Sequence, residues 1–347
     1  MTRTEINRSI DIGIASFATY LPEGRITSAE LAAASGIPEE VIREKFGIHQ
    51  KAKAGPHEST SEMALLAAKR CLARADFPAT ELDAIIYFGS EYKDHYVWAL
   101  TIWLIEQLGA KRAFGFDMYA VCTGLIVALR TAADMMAGNP ELQNVLLVGA
   151  SRESDLLDYS DQLSRFIFNF ADGAGAVLLR RDHHANIILS TDFIFDGRFS
   201  RSVHVPNVGT RPFAQAQSFA SAKPPAFVVN DPAKMKEELD PVSVPNFEKV
   251  IRSALKKCGR NADEVDFLAL LHAKRSFFLE ILESAGIPEA RTLYAWDVGH
   301  VQALDPLIAL ERAEKTGKVK HGDLVVLASA GAGYSWGAAA LHWGMLD

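Results

Sequence analysis

The chain has 347 residues, a formal net charge of −7 at pH 7 and 49% hydrophobic residues. This length holds one large domain or two of ordinary size, and the hydrophobic share is enough for a sizeable core. The negative balance argues against nucleic-acid binding, which needs a basic face. Cys71, Cys122 and Cys258 have no CxxC spacing, so they indicate neither a disulfide framework nor a zinc site. The first residues have no apolar signal core, and no apolar run reaches the ~18 residues of a membrane span. We therefore expect a soluble, cytoplasmic protein without a membrane partner.

Taken in chain order, the first half of the sequence predicts alternating strands and helices. Strands are expected at 10–17, 82–89, 116–121, 144–150 and 170–179. Helices are expected at 27–34, 38–46, 61–75, 95–108 and 125–137. The helix at 125–137 is apolar almost all the way round, which is typical of a helix buried inside a large core.

Cys122 lies where the strand at 116–121 turns into this central helix. The positive end of a helix favours a thiolate, and the small neighbours Thr123 and Gly124 let a substrate approach. A lone cysteine is also a common space-filling residue. On this stretch alone, nucleophile and filler both stay open, whereas Cys71 and Cys258 lie in amphipathic helices and are interpreted as packing.

Residues from about 200 to 245 change character. Half of the fourteen prolines fall in this stretch, and no hydrophobic period is sustained. We expect an irregular excursion that acts as a lid or pocket wall. A helix is predicted to begin after it, with Asn246 as the N-cap and Gly259 at the end.

The second half of the chain repeats the first. Residues 83–89 match 266–272, residues 145–150 match 324–329, and the glycine-rich segment after Asp172 matches the one after Gly331. Cys122 aligns with His300 in this comparison. Two halves packed about a pseudo-twofold axis would bring Cys122, His300 and His272 together, because His272 follows a buried strand of the second half. Either histidine alone is more often structural, and His183-His184 has no partners at metal-ligand spacing.

Several motifs, in this order along nearly the whole chain, resemble β-ketoacyl-acyl carrier protein synthase III, a condensing enzyme of the thiolase fold. They are Gly47-Ile48, Tyr119-Ala-Val-Cys122-Thr-Gly, Asp172-Gly-Ala-Gly175, Leu271-His272-Ala, Gly299-His300, 317–323 and Ala330-Gly-Ala-Gly-Tyr-Ser-Trp336-Gly. The resemblance implies an α/β fold, a five-layer αβαβα sandwich of two duplicated halves at 1–180 and 181–347, and a homodimer. It also implies no permanently bound cofactor and no metal. Coenzyme A or phosphopantetheine thioesters are the expected substrates, with acyl-CoA or acyl carrier protein as partners.

The resemblance also assigns roles to residues. It implies that Cys122 takes an acyl group as a thioester and that His272 assists decarboxylation or deprotonation of the second substrate. The N–H groups of Cys122 and Ala332 would form the oxyanion hole, with Gly331 and Gly333 shaping the glycine-rich turn. His300 stands where the family has Asn, which gives a Cys-His-His set, and a neutral histidine can still donate one hydrogen bond. Two further departures are 272–275, which reads His-Ala-Lys-Arg rather than His-Gln-Ala-Asn, and Val41, where a tryptophan is usual.

Three functions remain in view from the sequence. The leading hypothesis is condensation of the Cys122-bound acyl group with a malonyl- or β-ketoacyl-type thioester, in fatty-acid or specialised secondary metabolism. The second is transfer of the acyl group to an oxygen, nitrogen or sulfur acceptor. The third is an inactive partner subunit of a heteromeric synthase, which the retained Cys122, His272 and His300 argue against. We also expect acyl loading to depend little on His300, because the helix N-terminus already favours the thiolate.

Overall fold

The computed structural model describes residues 10–206 and 225–346. The strands in these ranges are β1 (Ile12–Tyr20), β2 (Arg25–Thr27), β3 (Gln50–Ala52), β4 (Ala84–Tyr87), β5 (Phe114–Asp117), β6 (Asn144–Ser151), β7 (Gly173–Arg181), β8 (Ala185–Phe195), β9 (Val203–His204), β10 (Val228–Val229), β11 (Phe267–Leu270), β12 (Leu324–Gly331) and β13 (Ser335–Met345). The helices are α1 (Ser28–Ser35), α2 (Glu39–Glu44), α3 (Thr60–Arg74), α4 (Leu100–Leu108), α5 (Gly124–Gly138), α6 (Pro232–Lys234), α7 (Asp240–Lys257), α8 (Arg275–Ala285) and α9 (Asp305–Lys315).

Nine of the strands form one hydrogen-bonded sheet in the order β11-β12-β13-β8-β1-β7-β6-β4-β5. The join between its two halves is narrow, because β1 and β8 share the single register pair Gly13↔Ile187. Moving outward from this join through the first half, the first two strand pairs are antiparallel and the next two are parallel. The second half repeats this pattern, with an isolated parallel bridge between Leu268 and Thr292 in place of the last strand pair.

Side-chain alternation along the strands separates the core into layers. In both halves, one face of the sheet packs on the apolar sides of α5 and α9, and these side chains form the central cluster. The opposite face of the first half packs on α3 and α4. The opposite face of the second half packs on α7 and α8. Because successive strand residues point to opposite faces, each half-sheet is covered on both sides. The result is the αβαβα sandwich that the resemblance implied.

The duplication extends to side-chain detail. Asp83 Oδ2 accepts the N–H of Asn144 at 2.9 Å, and Asp266 Oδ2 accepts the N–H of Leu324 at 2.9 Å. These bonds link equivalent strands and confirm the matching of 83–89 with 266–272. They also make Asn144 the equivalent of Leu324, so the matching of 145–150 with 324–329 is wrong by one residue. The boundary after residue 180 stays a prediction; β7 ends at Arg181 and β8 begins at Ala185.

The matching of Cys122 with His300 is wrong by three residues. The turn before α5 starts at Val121 with φ 51°, and the turn before α9 starts at Gln302 with φ 49°. Cys122 therefore corresponds to Ala303, and His300 lies on the segment that precedes the second turn. Left-handed backbone at non-glycine residues is uncommon, so the sequence pattern did not reveal it.

The predicted excursion at 200–245 is only partly irregular. Residues 207–224 lie outside the described residues, and β9 and β10 flank them as a two-stranded ladder. The following helix starts at Asp240 rather than after Asn246 and contains Pro245. Pro245 is the sixth residue of this helix, beyond the four N–H groups that have no helical partner, so it removes one helical hydrogen bond. The prediction of Asn246 as N-cap was therefore wrong.

The helical segment Val121–Gly138 is long and apolar enough, by length and composition, to cross a membrane, and 56% of it is buried inside the protein. Core helices pass the same test. Because α5 packs between the two half-sheets, its apolar character is explained by this burial.

Candidate active site

Cys122 lies in a tight turn between β5 and α5. The strand ends at Asp117, earlier than the predicted 121, and a 3₁₀ turn over Val121–Thr123 leads into the helix. The Cys122 carbonyl accepts the Ser329 hydroxyl at 2.6 Å, while the Thr123 hydroxyl donates to the Ala120 carbonyl at 2.7 Å. Cys122 is 5% exposed. The turn thus fixes the thiol at the point where the two halves meet.

His300 contacts this thiol. Its Nε2 lies 3.3 Å from Cys122 Sγ, and its Nδ1 lies 2.5 Å from Asp305 Oδ2. The backbone on both sides is tied down, since His300 N–H donates to the Asn169 carbonyl at 2.7 Å and its carbonyl accepts the Ala171 N–H at 2.8 Å. The resulting chain of contacts runs from carboxylate to imidazole to thiol, the arrangement that activates a nucleophile.

Asp305, which the sequence reasoning missed, organises both histidines. Besides contacting His300 Nδ1, its Oδ2 accepts the backbone N–H of His272 at 2.6 Å, and its Oδ1 accepts the N–H of Val301 at 2.6 Å. Asp305 is 4% exposed and is the first residue of α9. The spacing His300-x₄-Asp305 before Pro306 was the available signal, because aspartate followed by proline is typical of a helix start.

His272 joins the site from the end of β11. Its backbone is held by Asp305 and by the Asn169 side chain, whose Nδ2 donates to the His272 carbonyl at 2.9 Å. Its ring packs on Tyr294, with 4.5 Å between the ring centroids. Neither ring nitrogen has a hydrogen-bond partner among the described residues. Burial lowers the pKa of His272 to about 4, so the ring is neutral at pH 7.

The electrostatics of the site oppose a free thiolate and favour a basic His300. Burial disfavours the charged form of a group, so it raises the pKa of a thiol and lowers the pKa of an imidazole. The pKa of Cys122 is raised by burial, and His300 only partly offsets this rise. Burial also works to lower the pKa of His300, but the Asp305 carboxylate and Cys122 outweigh it and raise that pKa well above its usual value. The thiol therefore needs a strong base to lose its proton, and His300 is the base in contact with it.

A buried lysine supports the segment that carries Asn169. Lys51 is fully buried, and its Nζ donates to the carbonyls of Phe168 at 2.8 Å and Phe170 at 2.5 Å. Burial lowers the pKa of Lys51 to about 7. The Phe170 ring in turn packs on the His300 ring, with 5.0 Å between the centroids. No sequence pattern indicated this role, because a lysine in a basic turn is usually solvated.

The glycine-rich turn between β12 and β13 approaches Cys122 closely. A Cβ added to Gly331 would lie 2.8 Å from the Cys122 nitrogen and 3.0 Å from Val121 Cβ. Only glycine fits at that distance. Gly333 has φ +131°, which L side chains rarely adopt. The oxyanion hole formed by the Cys122 and Ala332 N–H groups stays a prediction.

The other two thiols lie elsewhere. Cys71 is buried in α3, where its Sγ contacts the Ser16 carbonyl at 3.5 Å, and burial raises its pKa to about 12. Cys258 caps the end of α7, and its Sγ contacts carbonyls of that helix. Across residues 10–206 and 225–346, no group of three or more His, Cys, Asp or Glu side chains could hold a metal ion.

The chain resembles known proteins along nearly its full length. Residues 116–197 match the family model for 3-oxoacyl-[acyl-carrier-protein] synthase III, and residues 255–343 match the model for its C-terminal part. The β-ketoacyl-[acyl-carrier-protein] synthase III of Aquifex aeolicus is 30% identical over 93% of this chain and 97% of the relative. A crystal structure of the Aquifex aeolicus enzyme has a TM-score of 0.83, covering 96% of this chain and 100% of the other.

The fold extends to more distant enzymes. The priming β-ketosynthase of the R1128 polyketide pathway is 24% identical with a TM-score of 0.84, covering 96% of this chain and 97% of the other. OleA from Xanthomonas campestris is 17% identical with a TM-score of 0.80, covering 96% of this chain and 99% of the other. These two likenesses show the fold alone. Together with the full-length match to the Aquifex aeolicus relative, the comparisons show that the chain belongs to the β-ketoacyl-[acyl-carrier-protein] synthase III family.

Proposed function

We propose that the protein is an acyltransferase-class enzyme that loads an acyl group onto Cys122 and condenses it with a second thioester. The observation that carries the proposal is the contact chain Asp305–His300–Cys122, with the neutral ring of His272 held beside it by the same carboxylate. The donor and acceptor are thioesters of coenzyme A or of an acyl carrier protein. The pathway is fatty-acid or specialised secondary metabolism.

Loading begins when His300 takes the proton of the Cys122 thiol. The thiolate attacks the carbonyl carbon of the donor thioester, and the negative oxygen that forms is stabilised by the N–H groups of Cys122 and Ala332. The carbon–sulfur bond of the donor then breaks. The leaving thiolate takes the proton from His300, so that the free carrier thiol departs and the acyl group stays on sulfur.

Condensation uses the second histidine. A malonyl-type thioester loses carbon dioxide, and the electron pair of the broken bond passes to the thioester oxygen as an enolate. The neutral His272 ring has unpartnered nitrogens and donates a hydrogen bond to that oxygen. The enolate carbon attacks the acyl-Cys122 carbonyl and expels the cysteine sulfur. The Cys122 thiolate takes a proton from solvent, and the β-ketoacyl product leaves.

One observation favours a second function, transfer of the acyl group to an oxygen, nitrogen or sulfur acceptor. The Asp305 carboxylate strengthens His300 as a base, and a base is what a hydroxyl or amine acceptor requires. The two functions differ in carbon dioxide release. Condensation predicts that the acyl-enzyme releases carbon dioxide from a malonyl-type thioester and forms a β-ketoacyl product. A protein that never decarboxylates such a thioester, yet passes its acyl group to a nucleophile, is an acyltransferase of the second kind.

We also propose that the enzyme acts as a homodimer in the cytoplasm. The strand β5 is the outer edge of the sheet, and apolar side chains next to it are exposed: Phe114 by 48% and Ile102, on α4, by 67%. An edge strand with exposed apolar neighbours suits pairing with a second copy. Obligate pairs bury about 2,000 Å² or more.

A further inference from the structure

A buried carboxylic acid that the reaction above does not use lies near Cys122. Glu153 lies two residues after the end of β6 and is 6% exposed. Its Oε1 accepts the Ser90 hydroxyl at 2.6 Å and the Gln302 side-chain amide at 3.0 Å. Both donors are uncharged. A carboxyl group is seldom buried with uncharged partners alone, because the loss of water is only partly offset.

Three segments bring this cluster to the site. Ser90 follows β4 and Glu153 follows β6. These are neighbouring parallel strands, so both residues lie beyond the same, carboxyl ends of the strands. Gln302 begins the turn before α9. That turn abuts the start of α5, since a Cβ on Gly124 would lie 3.4 Å from the Ala303 Cβ. Glu153 is close enough to Cys122 that its charge raises the pKa of that thiol.

The cluster also has an unsatisfied acceptor. Gln302 is 1% exposed, and its Oε1 has no hydrogen-bond partner among the described residues. A buried acceptor without a partner destabilises the folded protein. Glu153 and Gln302 together therefore present carboxyl and amide oxygens, both of which accept hydrogen bonds. An aliphatic chain placed against Gln302 Oε1 would keep that oxygen without water and without a partner.

We propose that Glu153, Ser90 and Gln302 bind the acyl group carried by Cys122 and select one that bears a hydrogen-bond donor, such as a hydroxyl. The inference rests on the proposed loading of Cys122 and names the substrate class. A hydroxyl on the acyl group satisfies the Gln302 Oε1 acceptor that an alkyl group would leave unpaired. Sites built to bind a polar group reject its apolar analogue far more strongly than an apolar pocket rejects one extra methylene.

The test is a competition between thioesters of matched shape. The protein is mixed with equal amounts of 3-hydroxypropanoyl- and butanoyl-CoA, and in a second experiment with 3-hydroxybutanoyl- and 3-methylbutanoyl-CoA. The early ratio of the two adducts is measured by mass spectrometry of the proteolytic peptide that carries Cys122, because a methyl and a hydroxyl group differ too little in mass to be separated on the intact chain. A ratio within one sample does not depend on the fraction of folded protein. We expect the hydroxyacyl adduct to exceed its alkyl analogue by about 10-fold or more in the wild type.

Two variants and a control complete the experiment. Glu153→Leu should reverse the preference toward the alkyl member, and Glu153→Gln, which keeps the size and one oxygen, should lie between the two. Glu283→Leu, at an exposed position on α8, should keep the wild-type ratio. A wild type that loads the alkyl member as fast as its hydroxyl analogue, or Glu153→Leu with an unchanged ratio, overturns the inference while loading stands. No adduct with any thioester overturns the proposed function, and the inference falls with it.

Discussion

Asp305 acts on both histidines through different atoms. Its Oδ2 contacts the ring Nδ1 of His300, but it reaches His272 only through the backbone N–H. The first contact raises the basicity of His300, whereas the second positions His272 and leaves its ring free for a substrate. The pKa values of the two neighbouring histidines are therefore shifted in opposite directions, which makes His300 a much stronger base than His272. Groups whose pKa values are driven apart in this way suit acid and base roles in one reaction.

The loading step should depend on His300, contrary to the expectation drawn from the helix N-terminus. Burial raises the pKa of Cys122, so the thiolate needs a base. We predict that His300→Ala slows acylation of Cys122 by about 10²–10⁴-fold, the usual contribution of a general base. The rate is measured by intact mass after mixing with an acyl-CoA. His184→Ala, at an exposed histidine bonded to Asp11, is the control. Equal acylation rates in His300→Ala and wild type would show that the helix N-terminus suffices.

The buried ring of His272 makes folding stability depend on pH. Its pKa is about 4 in the folded protein and 6.5 when unfolded, so below pH 6.5 the unfolded state binds the extra proton and stability falls as pH falls. Through this residue, lowering the pH from 7 to 5 should reduce the free energy of unfolding by about 2 kcal/mol. Urea unfolding at the two pH values should therefore show a smaller loss for His272→Phe than for wild type. If wild type and His272→Phe lose the same free energy of unfolding, the pKa of His272 does not differ between the folded and unfolded states as stated.

At the scale of elements, the turn β12–β13 and the turn before α5 must approach each other at backbone distance. Gly331→Ala would place a methyl group 2.8 Å from the Cys122 nitrogen, which forces the two turns apart. Displacing one oxyanion donor costs about 10²–10³-fold in rate. We predict a loss of that size in acyl loading, with the melting temperature measured alongside. In the control Gly197→Ala, the new methyl group meets nothing within 4 Å. If Gly331→Ala loads acyl groups at the wild-type rate, the Cys122 N–H is not part of the oxyanion hole.

Elements with a clear hydrophobic period were predictable from the sequence. The central helix ends at Gly138 as expected, and the repeated strands occupy equivalent places in the sheet, although the matching of 145–150 with 324–329 is off by one residue. The turns were not predictable, because Val121 and Gln302 adopt positive φ without being glycine. This shifted the matching of the halves by three residues and hid Asp305, whose role depends on where α9 begins. Lys51 and Glu153 were missed for a related reason: burial of a charged side chain follows from tertiary packing and leaves no local pattern.

At the scale of the whole molecule, the two halves converge on one site because α5 and α9 pack together between them. The first half supplies Cys122, and the second supplies His272, His300 and Asp305. The exposed edge strand β5 lies just before the Cys122 turn in the chain, so a partner copy paired there would stand near the site. The fold thus links the proposed dimer to the position of Cys122.

We predict that the wild type sediments as a dimer at micromolar concentration and that Phe114→Glu shifts it toward monomer. Phe114 begins the edge strand and is 48% exposed, and a charge on an edge strand opposes pairing. Leu279→Glu, at a side chain 37% exposed on α8, is the control and should stay dimeric. A wild-type protein that sediments as a monomer at that concentration would refute the dimer.

The central claim is that Cys122 is the acyl-accepting nucleophile, and intact-mass measurement after incubation with a panel of acyl-CoA thioesters tests it most directly. Cys122 has a base at 3.3 Å, whereas Cys71 contacts a backbone carbonyl and burial raises its pKa to about 12. We predict one acyl adduct on the wild type, Cys71→Ser and Cys258→Ser, and none on Cys122→Ala. An adduct that persists on Cys122→Ala, or one lost on Cys258→Ser instead, would contradict the account.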